Sequence, residues 1–284
     1  LVAHKWKDQI IMTVTMTSEL KGFYPDYSFP ADEIVPDSLL LQVATTTQAP
    51  EGDQPVVRIP YIASDPTVGF VAEGAQIPEG DPGLDEILVH TKKLALTHTQ
   101  SRESYTFPDA AAAVSTSLQR AITVAADNAF LNSVSDPTGL LNITGVINAG
   151  TITTTLDPIL DGIAGIQQNY GNPSAIIIDP KSWAVLSKLK YADGVMQLGS
   201  PTVAASRTLF SLPVYITPSI TAGNALIVSK SDLIAAVGTI NLTTSAEAAF
   251  NADSLVHRII WRIGWNTAHA NRFAKVSITL PTSK

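Results

Sequence analysis

The chain offers few residues of the types and spacing that chemistry needs. Its imidazoles are His4, His90, His98, His257 and His269. No two of them have the four-residue helical spacing that presents a pair to one zinc ion. His90 and His98 fall on one face of an expected strand, but at ~3.3–3.4 Å per residue they stand roughly 27 Å apart, too far to share a metal. There is no cysteine, so no disulfide framework and no thiolate metal site. No nucleophile elbow, phosphate-binding glycine loop or dinucleotide fingerprint occurs. Asp32-Glu33 and Asp85-Glu86 are adjacent pairs in charged stretches, and a solvated face explains them better than acid–base work. Trp6, Trp183, Trp261 and Trp265 are scattered and read as anchors or core rather than as a stacking platform. The residues therefore predict no enzyme, no cofactor and no metal ligand.

What remains is charge, and its distribution is uneven. Net charge is −7, which excludes a general nucleic-acid binder. Between Asp26 and Glu86 there are twelve acidic residues and one basic, Arg58; from Leu255 onward there are five basic residues and no acidic one. Such polarity suits complementary contacts between copies of one chain. The candidate contact residues are Glu73, Glu79, Asp81, Asp85 and Glu86 on the acidic side, and Lys92, Lys93, Arg102, Arg258, Arg262 and Arg272 on the basic side. A merely solvated acidic loop fits the same counts equally well. Charged residues make up only 15% of the chain, against about 25% on average, which suggests that much of the surface ends up against protein. The uncharged runs 137–156 and 208–229 are broken by Pro or Gly, so neither reads as a membrane span. No secretory signal is visible, and Leu1 stands where an initiator Met would, which suggests a processed or incomplete N-terminus.

Two elements must position these charges. Residues 56–104 read as a long hairpin that does not pack on its own domain, with dense turn chemistry at Pro78-Glu79-Gly80-Asp81-Pro82-Gly83. Its return limb alternates through Ile87, Val89, Leu94 and Leu96 and lacks a turn signal for nearly twenty residues, far beyond the ~5–6 of an ordinary strand. An isolated ribbon is marginal in water, so another copy of the chain is the simplest cover. Residues 108–134 read as one amphipathic helix, with Thr106 as N-cap, Pro108 in the first turn and Asp109 as capping partner. Val114, Leu118, Ala121, Ile122, Ala125 and Ala129 form its expected apolar face, with Gln119, Arg120 and Asp127 off it. An ordinary core helix would read the same way.

The other elements follow in chain order. Residues 1–55 read as an arm, with a possible strand at 10–16 and an apolar anchor at Leu39-Leu40-Leu41. Helices are expected from Asp157 to Tyr170, with Ile159, Leu160, Ile163, Ile166 and Tyr170 inward, and after Asp179-Pro180. Strands are expected at Ala175–Ile178, Leu212–Ile216 and Ala225–Val228. Ser231–Val237 is of uncertain type, and Leu255–Leu280 reads as one or two long strands with His257, Ile259, Trp261 and Ile263 on one face. The class is mixed α+β.

Taken in order, arm, charged hairpin, long helix and α/β domain resemble the major capsid protein family of tailed bacteriophages, whose shell fold also occurs in encapsulins and the herpesvirus capsid floor. The stretch VGFVAEGAQIPEGDPGLDEILVHTKKLALTHTQSRES resembles that family's extended loop, and PDAAAAVSTSLQRAITVAADNAFLNS resembles its spine helix. IIIDPKSWAVLSKLK resembles a strand and helix of its axial domain. LPVYITPSI and RIIWRIGWNTAHANRFAKVSI resemble its return to the peripheral domain. The resemblance implies an N-terminal arm over 1–55, an extended loop over 56–104, a spine helix over 105–138, an axial domain over 139–250 and C-terminal strands over 251–284. It implies self-assembly into pentamers and hexamers of an icosahedral shell around packaged double-stranded DNA, contacted non-specifically at the inner face. Portal, scaffold and cement proteins are the further partners implied, with assembly in the host cytoplasm, proteolytic maturation in some members, and no membrane. Some members weld subunits by an isopeptide bond between a loop Lys and a peripheral Asn, assisted by Glu. Lys92 or Lys93 would fill the first role. After Leu255 the only Asn residues are Asn266 and Asn271 and no acid is present, so no such crosslink is expected. An encapsulin-type compartment shell is the alternative within the fold, and an unfamiliar α+β hydrolase or binding module is the alternative outside it.

Overall fold

The structure is a computed structural model and describes residues 26–29, 38–49, 56–74, 76–77, 79–105, 110–191, 193–198 and 207–281. The expected strand at 10–16 and the Thr106 cap with Pro108 and Asp109 lie outside these residues.

The chain opens with β1 (Asp26–Phe29), the short helix α1 (Leu39–Val43) and β2 (Thr45–Gln48). The expected apolar anchor is there: Leu39, Leu40 and Val43 are buried. Next come β3 (Val56–Ser64), β4 (Gly83–His90) and β5 (Lys92–Ser101). A four-residue helix, α2 (Arg102–Tyr105), leads to the long helix α3 (Ala110–Asn132).

The hairpin differs from its sequence reading. Only β3 and β4 form a two-stranded ribbon, from Val56↔His90 to Ser64↔Gly83. Residues 65–74, 76–77 and 79–82 are irregular, not strand. The expected return limb breaks at buried Thr91, and β5 leaves the ribbon to become the edge of another sheet. The reason is a close approach. A Cβ on Gly264 would lie 2.2 Å from the His90 carbonyl oxygen, so a neighbouring strand crosses against this bend and tolerates only glycine. His90 and His98 therefore sit on different strands. Nor does the ribbon base stand free, because Ile87 and Val89 are buried with Ala49 and Ala236.

The long helix is also rotated from its expected face. Ile122, Ala126, Phe130 and Leu131 are buried, whereas Ala121 and Ala125 are exposed. Alanines score as apolar at any angle, so the bulky residues decide the orientation. Asp127, expected off the apolar face, lies on it and is buried. The helix stops where Gly139 crosses its last turn. A Cβ there would meet the backbone of Ser133, Asn132 and Leu131 at 2.5–2.8 Å.

The second half begins with β6 (Ile147–Ile152), α4 (Asp157–Gln168), β7 (Ala175–Ile178) and α5 (Pro180–Ser187). Asp179 caps α5 as expected, accepting from the amides of Lys181 and Ser182 at 2.9 and 3.1 Å. On α4, Ile159 and Ile166 face inward, but Leu160 is exposed. Tyr170 follows in the left-handed region (φ 58°), which turns its ring into solvent. Then come β8 (Thr208–Leu209), β9 (Leu212–Ile216), β10 (Asn224–Val228), β11 (Leu233–Ala249), β12 (Ser254–Thr267) and β13 (Ala274–Ile278). The segment of uncertain type at 231–237 is the start of the seventeen-residue β11.

These strands form two large sheets. The first has the order β1-β11-β12-β5, with β2 also paired to β11. Of the two alternating sets on β12, the structure buries His257, Ile259, Trp261 and Ile263, and α3 packs there, with Phe130 edge-on to Trp265 at 5.4 Å. The second has the order β6-β13-β10-β7-β9-β8 and a core around Ile176, Ile178, Ile227 and Val276. Strand pairing crosses the expected limit at 250–251, since β11 pairs with β12 and β13 pairs with β10. Two short linkers, 229–232 and 268–273, carry the chain between the sheets.

Candidate functional site

The ribbon and the sheet face beside it hold most of the predicted contact residues. Beyond the base, the ribbon carries its large apolar side chains outward: Val68 is 89% exposed, and Ile62, Phe70, Ile77 and Leu84 are also exposed. Glu73, Glu79 and Asp81 are exposed in the same irregular loop. Asp85 and Glu86 lie on β4, where Glu86 pairs with Arg58 at 3.0 Å and Asp85 accepts the Tyr61 hydroxyl at 3.5 Å. A tip that is apolar and acidic at once has no cover within the described residues. Contiguous exposed apolar surface of this kind marks a contact site.

The basic residues divide. On the outer face of the first sheet Lys93 stands directly opposite Arg262, and Arg258 lies four residues along the same strand opposite Thr97. Like charges directly across a strand pair repel, so this register costs stability unless an anion is supplied. Among the described residues the ion pairs involve neither Lys93, Arg258 nor Arg262. Arg258 reaches only the Thr243 hydroxyl, at 3.4 Å. The other three basic candidates have partners in their own chain. Lys92 lies 3.8 Å from Asp136, Arg102 lies 2.9 Å from Asp253, and Arg272 lies 2.7 Å from Asp232. Arg272 thus works inside the subunit rather than at its surface.

That last pair belongs to a polar knot that sequence reasoning missed. Asp232 is buried at the end of one inter-sheet linker. Its Oδ1 accepts from Arg272 Nη1 and, at 3.0 Å, from His269 Nδ1, both on the other linker. Its Oδ2 accepts from the Ser229 and Ser231 hydroxyls at 2.6 and 3.1 Å. Burial pushes this carboxyl up, but the Ser229, Arg272 and His269 donors and the Arg272 charge outweigh it, and the net shift is down. Tyr61 of the ribbon meets the His269 ring edge-on at 5.4 Å. The only sequence signal was Asp232 following Ser229 and Ser231, and nothing local announced a partner forty residues away.

A cleft of about 480 Å³ opens beside α4, lined by Thr155, Leu156, Asp157, Tyr191 and Phe210 among others. Its one carboxylate, Asp157, accepts the Thr155 hydroxyl at 2.8 Å. The other titratable lining group is the exposed Tyr191 phenol, and no imidazole, lysine or second carboxylate is among the lining residues. Among the described residues, no group of three or more His, Cys, Asp or Glu is placed to hold a metal. Also among them, no helix is long and apolar enough to cross a membrane.

Comparison with known proteins agrees with the architecture. The sequence profile described as the phage capsid family matches residues 32–278. No curated protein matches by sequence. Among solved structures, the capsid of a native GTA particle superposes with a TM-score of 0.70 at 16% identity, over 85% of this chain and 90% of that one. The Gordonia phage Cozz structure gives 0.70 at 15%, over 86% and 87%. That of Mycobacterium phage Bobi gives 0.69 at 14%, over 93% and 99%. At these identities the likeness speaks for the fold, and the profile match, which spans most of the sequence, speaks for descent. The chain belongs to the phage capsid family.

Proposed function

We propose that this protein is the major capsid protein of a tailed bacteriophage, a structural rather than catalytic component of the virion that builds an icosahedral shell from hexamers and pentamers of itself. The observation that carries this reading, beside family membership, is the uncovered ribbon tip, with Val68, Phe70 and Ile77 exposed among Glu73, Glu79 and Asp81. A monomer would leave that apolar surface in water, whereas a second copy removes it.

In this reading the acidic tip of one copy lies on the basic sheet face of the next. Lys93, Arg258 and Arg262 supply the positive side, and their like-charge register is relieved by incoming carboxylates. The long helix α3 is the spine of a peripheral domain built on the first sheet, and the second sheet is the axial domain. Packaged double-stranded DNA, portal, scaffold and cement proteins are the expected partners, and assembly takes place in the host cytoplasm. The shell of a cellular compartment is the less favoured reading, because the structural neighbours named above are phage and GTA particles.

Negative-stain electron microscopy of the purified chain tests the proposal. Closed shells, or rings of five or six, are the expected result. A discrete monomer or dimer under all salt and concentration conditions would overturn it.

A further inference from the structure

Helix α1 has an unusual N-terminus. Its own N-cap residue, Ser38, makes no capping bond to the helix. The cap comes instead from Asp127, on the buried side of α3. Asp127 Oδ1 accepts from the Ser38 hydroxyl at 2.9 Å and from the Leu39 amide at 3.0 Å. A carboxylate there satisfies an otherwise orphaned backbone donor and complements the helix dipole. Closing α1 over Asp127 also takes the carboxyl out of water.

The groups facing Asp127 are few. From α1 they are Ser38 and the Leu39 and Leu40 amides. The core that α1 and α3 share with β11 and β12 is apolar, with Leu39, Leu40, Val43, Ile122, Phe130 and Trp261 in one buried cluster. No charged side chain of any of these elements acts on the carboxyl. Burial lifts it from the ordinary 3.8 to about 6, and the Ser38, Leu39 and Leu40 hydrogen bonds pull back only in part.

We propose that Asp127 is a proton-operated latch on the N-terminal arm, holding α1 closed on the long helix more firmly in acid than at neutral pH. The sign follows from linkage. The closed state has the higher pKa, so it holds the proton more tightly than the open state. Its advantage is complete below about 3.8, is lost as pH rises to about 6, and is constant above that. Three buried apolar side chains, Leu39, Leu40 and Val43, keep the segment closed on balance at either extreme. The latch changes how often α1 opens.

Hydrogen exchange of the 38–43 amides in the full chain, read by mass spectrometry and corrected for the intrinsic pH dependence, measures the opening constant directly. Between pH 4.5 and 7 it is expected to rise about 25-fold in the wild type, with the ordinary 3.8 for the open state and about 6 for the closed one. Asp127→Asn keeps the shape and an acceptor but removes the titration, so its opening constant is expected to be flat. Ser38→Ala leaves the carboxyl in place while removing a bond to its charged form. It therefore moves the upper end of the transition to higher pH and provides a second reading if Asp127→Asn does not fold. A wild-type opening constant independent of pH, or a slope that survives in Asp127→Asn, overturns the proposal.

Discussion

Replacing Asp232 with Ala tests whether the two sheets are joined by more than their shared core. The carboxylate is 3% exposed and accepts four side-chain hydrogen bonds, two from each inter-sheet linker. Removing it strands the Arg272 guanidinium, whose side chain is only 24% exposed. Breaking one partner of a buried ion pair costs about 3–5 kcal/mol. Arg272 keeps some water and its bond to the Asn169 carbonyl at 2.9 Å, so the low end, about 3 kcal/mol, is expected. For a chain of this size that is a fall in Tm of roughly 5 °C. Urea unfolding of the unassembled chain, followed by circular dichroism, measures it without the contribution of subunit contacts. The pH dependence supplies an independent check. The folded state holds Asp232 below its ordinary carboxylate range, so its contribution is present above about 3.8 and is lost as pH falls through the lower folded value. The difference between wild type and Asp232→Ala should therefore close in acid. Adding Arg272→Met should recover part of the loss, because the stranded charge is gone. A loss under about 1 kcal/mol at pH 7, or a double variant worse than Asp232→Ala by the full cost of Arg272, would refute the reasoning.

Four other outcomes follow from the same contacts. Glu79→Lys, Asp81→Lys and Asp85→Lys together should prevent shell or ring formation at low salt while leaving Tm unchanged, and light scattering of wild type should show assembly weakening as salt rises. Gly264→Ala places a methyl group against the His90 carbonyl oxygen, so thermal melting should show a loss of about 2 kcal/mol or more. Phe130→Ala empties a fully buried site beside Trp265 and should cost about 3–5 kcal/mol in chemical unfolding. Mature particles boiled in detergent should run as a single band at the monomer position, since no acid accompanies Asn266 and Asn271 in the C-terminal segment.

The sequence was legible where side-chain size and period agree. The alternation of β12 grouped His257, Ile259, Trp261 and Ile263 on one face, and the structure makes that the buried face, as a half-buried strand puts every second residue inward. The cap and turn at Asp179-Pro180 were legible for a similar reason, as the bond is made within three residues. The long helix was found, but its rotation was not. Its alanines left the phase open, and the decisive weights, Phe130 and Leu131, sit at its end. The hairpin was misjudged because its return limb was taken as one alternating run, although the apolar residues pass from odd positions (Ile87, Val89) to even ones (Leu94, Leu96) across Thr91, where the partner changes from β3 to β12. Periodicity reports which face of a strand is buried, not which strand lies beside it. Beside that shift of phase, the other trace of the change is Gly264, over 170 residues downstream.

The same limit explains why the charges were only half read. Counting along the chain set an acidic 26–86 against a basic 255–284 and treated each segment as one surface. Folding splits both. Arg272 turns inward to Asp232, and Arg102 is matched locally by Asp253. Glu86 is matched by Arg58 across the ribbon. Of the six basic candidates, three remain without an ion pair among the described residues and are fixed by strand register, Lys93 across from Arg262 with Arg258 on the same strand. Register brings them together from segments more than 160 residues apart and makes each a burden to the other. An isolated subunit gains nothing from that arrangement, and a neighbour that brings carboxylates does. If reversing Lys93 alone to Glu raised the stability of the free chain while abolishing assembly, the face would be one kept for a partner at the subunit's own expense. If it raised stability and left assembly intact, the acidic tip of the ribbon would have to dock elsewhere.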